Sequence, residues 1–542
     1  MKQLQLTVSS LEKIFPYKKP TLIQNEYSSF KNETFHFQVA CYSPCLCEHC
    51  KVEITSTISS FISVRKVELV PAGYAVNIYK TDNYVINKKP NGIMYPDLLR
   101  PLFEKGESLR QNIWNSFWVT VDGSLGLPIG KHEIKIRVYS EISGYDKTSV
   151  YTLIVLDDLL PENDLFYTCW MHYDCICDKH GVELFTPEYY SVFKSYLNSA
   201  VKHGMTMLYV PLFTPSMDTG KGSYRRPVQL VKIKSLNGEY SFDFTLLDEF
   251  IDFALNNGIK YLELCHLATQ WGAKHCPQIM AEVDGQEKRI FGWETESTSN
   301  EYFEFLNEFL FELKTFVKQK GIEDIIYFHI SDEPPSDAIE RFKAIKSVIV
   351  KYFPNAKLMD AVCEKVFVES GVVTNPVVGT DHYKNIPCDW VYYCCVQTHS
   401  YLSNRLFNMP SQRTRILGMQ LYRNSSTGFL QWGFNFYHSA GSFNKYDPYF
   451  ITDAGGQFQS GDSFIVYPTN GGVLESLRHE VLASGFDDYR ALKLLEKYIG
   501  KEKVIKLLDK FVKAGYTDYK RSAKGHLHFR FNLNNLIMEN KK

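Results

Sequence analysis

The 542-residue sequence predicts a multidomain protein: an N-terminal β-sandwich, then a (β/α)8 TIM-like barrel with a helical C-terminal tail. Three observations carry that expectation. The chain is too long for one ordinary hydrophobic core. Up to Leu156 it alternates apolar and polar residues with a period of two, as half-buried strands do. Beyond "DDLLPEND", helices that end in glycine alternate with short apolar runs, as in right-handed βα units on a parallel sheet. The expected boundaries are 1–157 for the sandwich, 158–500 for the barrel and 501–542 for an extension packed on the barrel.

In the first region, "TFHFQVACY", "KVEITST", "RKVELVPAGYAV", "NSFWVTVDG", "KHEIKIRVYS" and "SVYTLIVLDD" are the expected strands, joined by loops rich in Gly, Pro, Asn and Asp. In the second, "TPEYYSVFKSYLNSAVKHG" has Thr186 as cap, Pro187 in the first turn and Gly204 just past its end. The run "MTMLYVPLF" follows directly. "FDFTLLDEFIDFALNNG" before "IKYLELCHL" repeats the unit. So does "NEYFEFLNEFLFELKTFVKQKG" before "IEDIIYFHIS", with Phe303, Leu306, Leu310, Leu313 and Val317 expected on one buried face. A fourth helix, "SDAIERFKAIKSVIVKYF", leads into "AKLMDAVC". With "LFYTCWMH", "PVVGTDHY", "DWVYYCCV" and "GFLQWGFNFY", eight strands result, the number of a TIM barrel. An open doubly wound sheet is the alternative, but no Gly-rich phosphate loop follows the first strand. From Gly471 onward the sequence reads as mostly helical.

Composition narrows the function. A net charge of −1 without a run of Lys or Arg argues against nucleic acid or an anionic membrane as partner. The N-terminus lacks a signal-type apolar core, and no run of about 18 apolar residues occurs, so no membrane insertion is expected. Thirteen cysteines, an odd number without a regular framework, point to a reducing cytoplasm. Cys41, Cys45, Cys47 and Cys50 are crowded together, but their spacing is not a common structural-zinc pattern. Buried or loop thiols are expected there, and neither metal nor cofactor is implied. Aromatic residues reach 15%; most belong in cores, while an excess of Tyr and Trp suits a site that stacks on sugar rings.

The chemistry is expected in "YFHISDEPPSD", where a buried strand ends on adjacent acids, Asp332 and Glu333. Adjacent carboxylates repel and are costly to bury. At the C-terminal exit of a fourth barrel strand, however, they face the position where barrel sites are built. Pro334 and Pro335 stop further pairing, and Ser336 with Asp337 would cap the next helix. Paired carboxylates are the usual equipment for breaking glycosidic bonds. Many barrel glycosidases end this strand in Asn-Glu-Pro; here it is Asp-Glu-Pro. An acceptor-only group at 332 suits an N–H donor such as a 2-acetamido group, whose carbonyl oxygen could then attack C1. The late strands offer few exit carboxylates to act as a protein nucleophile; Asp381 is the one candidate.

On "HISDEPPSD", "GFLQWGFNFY", "SGDSFIVYP" and "LESLRHEVLASGFDDYRALKLL", with "FKNETFHFQVAC" in the N-terminal region, the chain resembles glycoside hydrolase family 123, the β-N-acetylgalactosaminidases. The resemblance implies an exo-acting, retaining hydrolase of terminal β-GalNAc working through an oxazolinium intermediate, with Asp332 polarising the acetamido group and Glu333 as acid/base. A β-N-acetylhexosaminidase of other sugar preference, or a catalytically silent carbohydrate-binding relative, is the competing expectation. Tyr437 stands where the family usually has a second Trp. Further substrate-binding candidates are Trp432 as a floor under the sugar, Tyr383 or Tyr393 as a hydroxyl for the acetamido oxygen, and His266 and Trp271 after the third strand. His172, Asp174, Arg478 and Asp488 read as structural, the last two as an ion pair.

Overall fold

The computed structural model describes residues 2–75, 82–86, 92–393 and 401–541. The N-terminal region forms two five-stranded sheets. One is antiparallel throughout, in the order Leu4–Ser9, Phe35–Tyr42, Trp114–Val121, Ile62–Ala72, Ile93–Pro101. The other is mixed, in the order Glu26–Phe30, Asp146–Leu156, Gly130–Tyr139, Cys47–Thr55, Glu107–Leu109, its first pair being parallel. Phe37, Val39, Phe117 and Val119 of the first sheet share a core with Ile134, Ile136, Val138 and Leu153 of the second. The Phe37 and Tyr151 rings stack across it at 4.2 Å. All six expected strands are present. Leu4–Ser9, Glu26–Phe30, Ile93–Pro101 and Glu107–Leu109 were not anticipated.

All eight expected parallel strands also form, in the spatial order Ile326–Tyr327, Tyr261–Leu264, Met207–Val210, Phe166–Cys169, Gly428–Gln431, Trp390–Tyr392, Val377–Gly379, Ala361–Val362. This sheet is curled in the TIM manner. Its two end strands meet through a parallel bridge between Phe328 and Leu358, where the Phe328 N–H donates to the Lys357 carbonyl (2.8 Å) and the Met359 N–H to the Phe328 carbonyl (2.9 Å). The connecting helices follow their sequence signals. Thr186 caps Pro187–Lys202 by accepting from the Tyr189 N–H, and Ser299 caps Asn300–Lys320, which ends at Gly321 in the left-handed conformation. On that helix Tyr302, Phe305, Leu306, Phe309, Leu310, Leu313 and Val317 are buried, whereas Phe303 sits at the margin.

Period-two alternation stacks the inward side chains of the sheet in layers. The lowest is aromatic: Phe166 stacks on Trp390 at 4.9 Å and lies 4.5 Å from Tyr261, and Tyr327 completes it 5.4 Å from Trp390. Two residues further along these strands lie Thr168, Glu263, His329 and Tyr392, so the interior turns polar towards the C-terminal face.

Several local expectations need correction. Ser336 and Asp337 make no side-chain cap; a 3-10 turn, Ser336–Ala338, starts that helix, and Asp337 instead pairs with Arg341 at 3.6 Å. After Gly471 the chain first forms a hairpin, Val466–Thr469 with Gly472–Glu475, and only then the long helix Leu477–Ile499 capped by Ser476. Arg478 and Asp488 do not pair with each other. Arg478 binds Asp97 (2.8 Å), while Asp488 is met by Arg415 (2.8 Å), Arg530 (2.7 Å) and His526 (2.6 Å). Helical spacing puts positions ten apart at different heights, so each acid finds its cation on another element. The final helix, Ala523–Asn540, lies against Leu477–Ile499 and also reaches the N-terminal sheets, where Tyr27 donates to the Leu527 carbonyl (3.0 Å) and Arg530 pairs with Glu33 (2.8 Å).

Cys41 lies on a strand, and burial pushes its thiol up to about 12; Cys47 and Cys50 are buried and Cys45 is exposed. Among the described residues no helix is long and apolar enough to cross a membrane.

Candidate active site

Asp332 and Glu333 lie beyond the fourth parallel strand, separated from Ile326–Tyr327 by residues 328–331, at the C-terminal face. Their backbone is fixed on both sides. The Glu333 N–H donates to the Ala361 carbonyl of the fifth strand (3.0 Å), and the Asp332 carbonyl accepts from the Trp271 N–H (2.8 Å) after the third. Glu333 has φ = 42° and Trp271 φ = 58°, left-handed values that side chains with a Cβ rarely adopt. Such a conformation persists when surrounding contacts over-determine it, and it is concentrated at functional sites.

The two acids open into a cavity of about 560 Å³, counting its open mouth. Trp170, Leu430, Trp432, Met217 and Phe458 supply apolar walls; Tyr392, Gln270 and Asp218 supply polar groups beside the acids. The Tyr392 hydroxyl donates to Glu333 Oε1 at 2.7 Å and lies 3.0 Å from Cys363 Sγ. Trp432 is held edge-on by Phe458 (5.0 Å), and its indole N–H points to Asp462 Oδ2 (3.3 Å).

Beneath the acids runs a buried chain of charge. His329 contacts Glu263 Oε1 through Nε2 (2.6 Å) and Asp360 Oδ1 through Nδ1 (3.2 Å). Glu263 also accepts from the Trp170 indole N–H (2.6 Å) and the Thr168 hydroxyl (2.7 Å), and Asp360 from the Ile330 and Ser331 N–H groups (2.9 and 3.1 Å). Burial alone would lower the His329 pKa, but hydrogen bonds to Asp360 and Glu263 outweigh it and raise it to about 9. An imidazolium thus bridges two carboxylates. His266, His329 and Asp360 also form the only group of three metal-capable side chains among the described residues. With both His329 nitrogens already engaged by carboxylates, a protonated relay fits this set better than a cation site.

Asp332 behaves differently from any paired acid. Burial first, then the adjacent Glu333 carboxylate, raise its pKa well above the usual range, while His329 pulls the other way. Asp332 therefore keeps its proton to a higher pH than a surface aspartate does.

The other candidates from sequence are spread more widely. Trp271 and Trp432 line the cavity, Trp271 being 57% exposed at its rim. His266 does not line it; it lies below, buried, 4.2 Å ring to ring from His329 and hydrogen-bonded to the Tyr209 hydroxyl (2.8 Å). Tyr383 points to the Asn424 carbonyl (3.2 Å) and packs on Tyr516, and Tyr393 packs against Phe429, so neither lines the cavity. The tyrosine that does is Tyr392, one position away. Adjacent residues on a strand face opposite sides, and placing the inward face by one residue too many selects the wrong hydroxyl. Asp381 turns to His382 (2.8 Å) and does not line the cavity; Tyr437 is buried and donates to the Val466 carbonyl (3.0 Å). Asp174 is locked by Arg225 (2.8 Å), beside His172. Asp218, which does line the cavity, carried no sequence signal.

Residues 170–495 match the family model "Glycoside hydrolase 123, catalytic domain". The chain belongs to glycoside hydrolase family 123. A family 123 glycoside hydrolase from Clostridium perfringens, described for glycolipid glycan hydrolysis, is similar in structure over 99% of both chains, with a TM-score of 0.78 and 15% identity. A Parabacteroides merdae β-glucuronidase aligns over 91% of this chain and 52% of its own at 8% identity, but its TM-score of 0.31 carries no weight. No curated protein matches. Family 123 membership makes the protein a glycosidase by kinship, and the matched segment contains Asp332, Glu333, Tyr392 and Trp432.

Proposed function

We propose that the protein is a retaining exo-β-N-acetylgalactosaminidase that hydrolyses terminal β-GalNAc by substrate-assisted catalysis. The observation that supports this most is the composition of the cavity: two adjacent acids from one strand exit, and no carboxylate from the fifth to eighth strands lining it among the described residues. A conventional retaining pair would place a nucleophilic carboxylate about 5 Å from the acid.

In this reading Glu333 gives its proton to the leaving oxygen, and the C1–oxygen bond breaks as the acetamido carbonyl oxygen bonds to C1. Asp332 accepts the acetamido N–H and balances the positive charge that develops on the resulting oxazolinium ring. Glu333, now a carboxylate, takes a proton from the water that attacks C1, which reopens the ring with the original anomeric configuration. The coupled pair needs one proton for this cycle, on Glu333, with Asp332 ionised. Burial and Glu333 favour the protonated form of Asp332 and His329 opposes them, so the acetamido N–H donated to Asp332 is what would draw the proton off it in the complex. Tyr392 orients Glu333 through the 2.7 Å hydrogen bond and presents a hydroxyl beside the acetamido position. Trp432 and Trp170 offer apolar faces to the ring.

Incubation with p-nitrophenyl β-GalNAc tests the activity, and NMR of the first-formed product tests retention. A GalNAc-thiazoline, which mimics the oxazolinium ion, should inhibit competitively and far more strongly than free GalNAc. Inversion, or a covalent adduct of a 2-deoxy-2-fluoro sugar on a protein carboxylate, overturns the mechanism; faster turnover of β-GlcNAc substrates changes the sugar assignment only.

A further inference from the structure

Asp218 lies on the loop that leaves the second parallel strand, two positions from the acid pair's strand in the sheet, lines the cavity, and is 8% exposed. Its position is held from three directions. The backbone N–H donates to Gln270 Oε1, the backbone carbonyl accepts from the Ser442 hydroxyl (2.8 Å), and Oδ1 accepts from the Gly441 N–H (3.4 Å). The loop is latched further where the Gly220 N–H meets the Gly441 carbonyl (2.9 Å). At φ = 43° the residue is in the left-handed region, which Asp tolerates better than most.

One atom is left over. Oδ2 is buried and has no hydrogen-bond partner within the protein. The obvious cation, Arg225, is committed to Asp174 and His172. Burial pushes the Asp218 carboxyl up to about 6, with Asp462 adding to the rise, and the Gly441 N–H and Arg225 opposing it. Buried polar atoms in folded proteins are nearly always satisfied, and an exception inside a ligand cavity points to a partner supplied by the ligand.

Resting on the glycosidase reading above, we propose that Asp218 Oδ2 accepts a hydroxyl of the bound terminal sugar on the side remote from C1 and C2, the 4- or 6-hydroxyl, and so acts as a specificity determinant. Asp332 and Glu333 serve the C1–C2 end from the fourth strand. Asp218 stands on the loop after the second strand and is tied to the loop after the eighth, the strand four positions from the fourth in the sheet, so the far edge of the ring would lie beside it. A site built to hydrogen-bond a hydroxyl rejects the analogue lacking it, because its own group is then left unpaired.

The test is a cycle between protein and substrate. Wild type, Asp218→Asn and Asp218→Ala are assayed on aryl β-GalNAc and on its 4-deoxy and 6-deoxy analogues, with melting curves to confirm folding. Asn keeps an acceptor for the Gly441 N–H and tolerates the backbone angle, so it covers the case in which Ala does not fold. Wild type should lose about 10–100-fold in kcat/KM on one of the two deoxy substrates, as for a hydrogen bond to a charged group. Asp218→Ala should lose a similar factor on the full sugar, mostly in KM, and show little further loss on that same deoxy substrate. If both deoxy penalties are as large in the variants as in wild type, the proposal is wrong. A collapse of kcat alone that azide restores would make Asp218 a nucleophile and also overturn it. Absence of any activity of wild type on aryl β-GalNAc would count against the glycosidase reading instead, and calorimetric binding of free GalNAc and 4- and 6-deoxy-GalNAc by wild type and Asp218→Asn would then decide the Asp218 contact by the same cycle.

Discussion

Asp488 is fully buried and Asp332 half-buried; Asp488 is surrounded by Arg415, Arg530 and His526, while Asp332 has another carboxylate beside it. Burial disfavours ionisation at both. At Asp488 the opposing pull of Arg415 and His526 wins and holds the carboxyl well below its usual range. At Asp332 the neighbouring Glu333 carboxylate adds to the effect of burial and the pKa rises. The same residue type thus serves two ends. Where every charge is met, the acid joins elements that are far apart in sequence; where it is left uncompensated in a cavity, it is poised to exchange a proton or accept a ligand's donor. Asp97 with Arg478 belongs with the first kind, Asp218 with the second.

That contrast is open to direct attack. The largest effect is expected at Glu333. Glu333→Gln should lower kcat about 10²–10⁴-fold on an unactivated substrate, and less on substrates with good leaving groups that need little protonation. Steady-state kinetics of the two substrate types checks it, and equal losses on both would assign the acid elsewhere. Asp488→Asn comes next. It strands the buried Arg415 guanidinium and removes one of the two acids that meet Arg530, the other being Glu33, so unfolding free energy should fall by about 3–5 kcal/mol, with kcat/KM per folded molecule nearly unchanged. Denaturant titration with parallel assays separates the two.

The pH dependence of stability distinguishes the two kinds of site by sign. Asp488, depressed in the folded state, contributes stability above the ordinary aspartate range that is lost as pH falls through its folded value. His329, raised to about 9, contributes stability that is full below its unfolded value of about 6.5 and lost as pH rises through 9. The melting-temperature difference between wild type and His329→Gln should therefore be full near pH 6 and shrink as pH rises through 9, and a difference that stays constant across that window would mean that His329 is neutral. The smallest effect is reserved for Tyr392→Phe, which removes one hydrogen bond to Glu333 and should cost about 10-fold in kcat. Steady-state kinetics beside wild type checks it, and an unchanged kcat would mean that Tyr392 does not orient the acid.

Much of this was legible in the sequence where structure is local. Three apolar runs after glycine-terminated helices, one after a helix that stops at Pro354 and four further runs correspond to the eight strands, and the Asp-Glu-Pro turn lies at the candidate site. What escaped depended on long-range pairing or on parity. Glu26–Phe30 and Ile93–Pro101 are strands because partners elsewhere complete them, not through their own alternation. Tyr392 was missed by one residue on a strand, and Asp218 because a loop carries no period from which an inward side chain can be read. Arg478 and Asp488 were read as structural, but with the wrong partners, since Asp97, Arg415 and Arg530 lie on three other elements.

The Arg530–Glu33 ion pair joins residues separated by 497 positions. During synthesis at about 5–20 residues per second, Glu33 emerges roughly 25–100 s before the arginine that neutralises it. Over that interval the edge strand Glu26–Phe30 lacks the helix that covers Tyr27 and Ser28, so the first-made sheets are completed by nearly the last-made helix. A nascent chain of this protein therefore has an open seam for most of its time on the ribosome, and holding that seam apart from other nascent chains is a task for whatever meets it there.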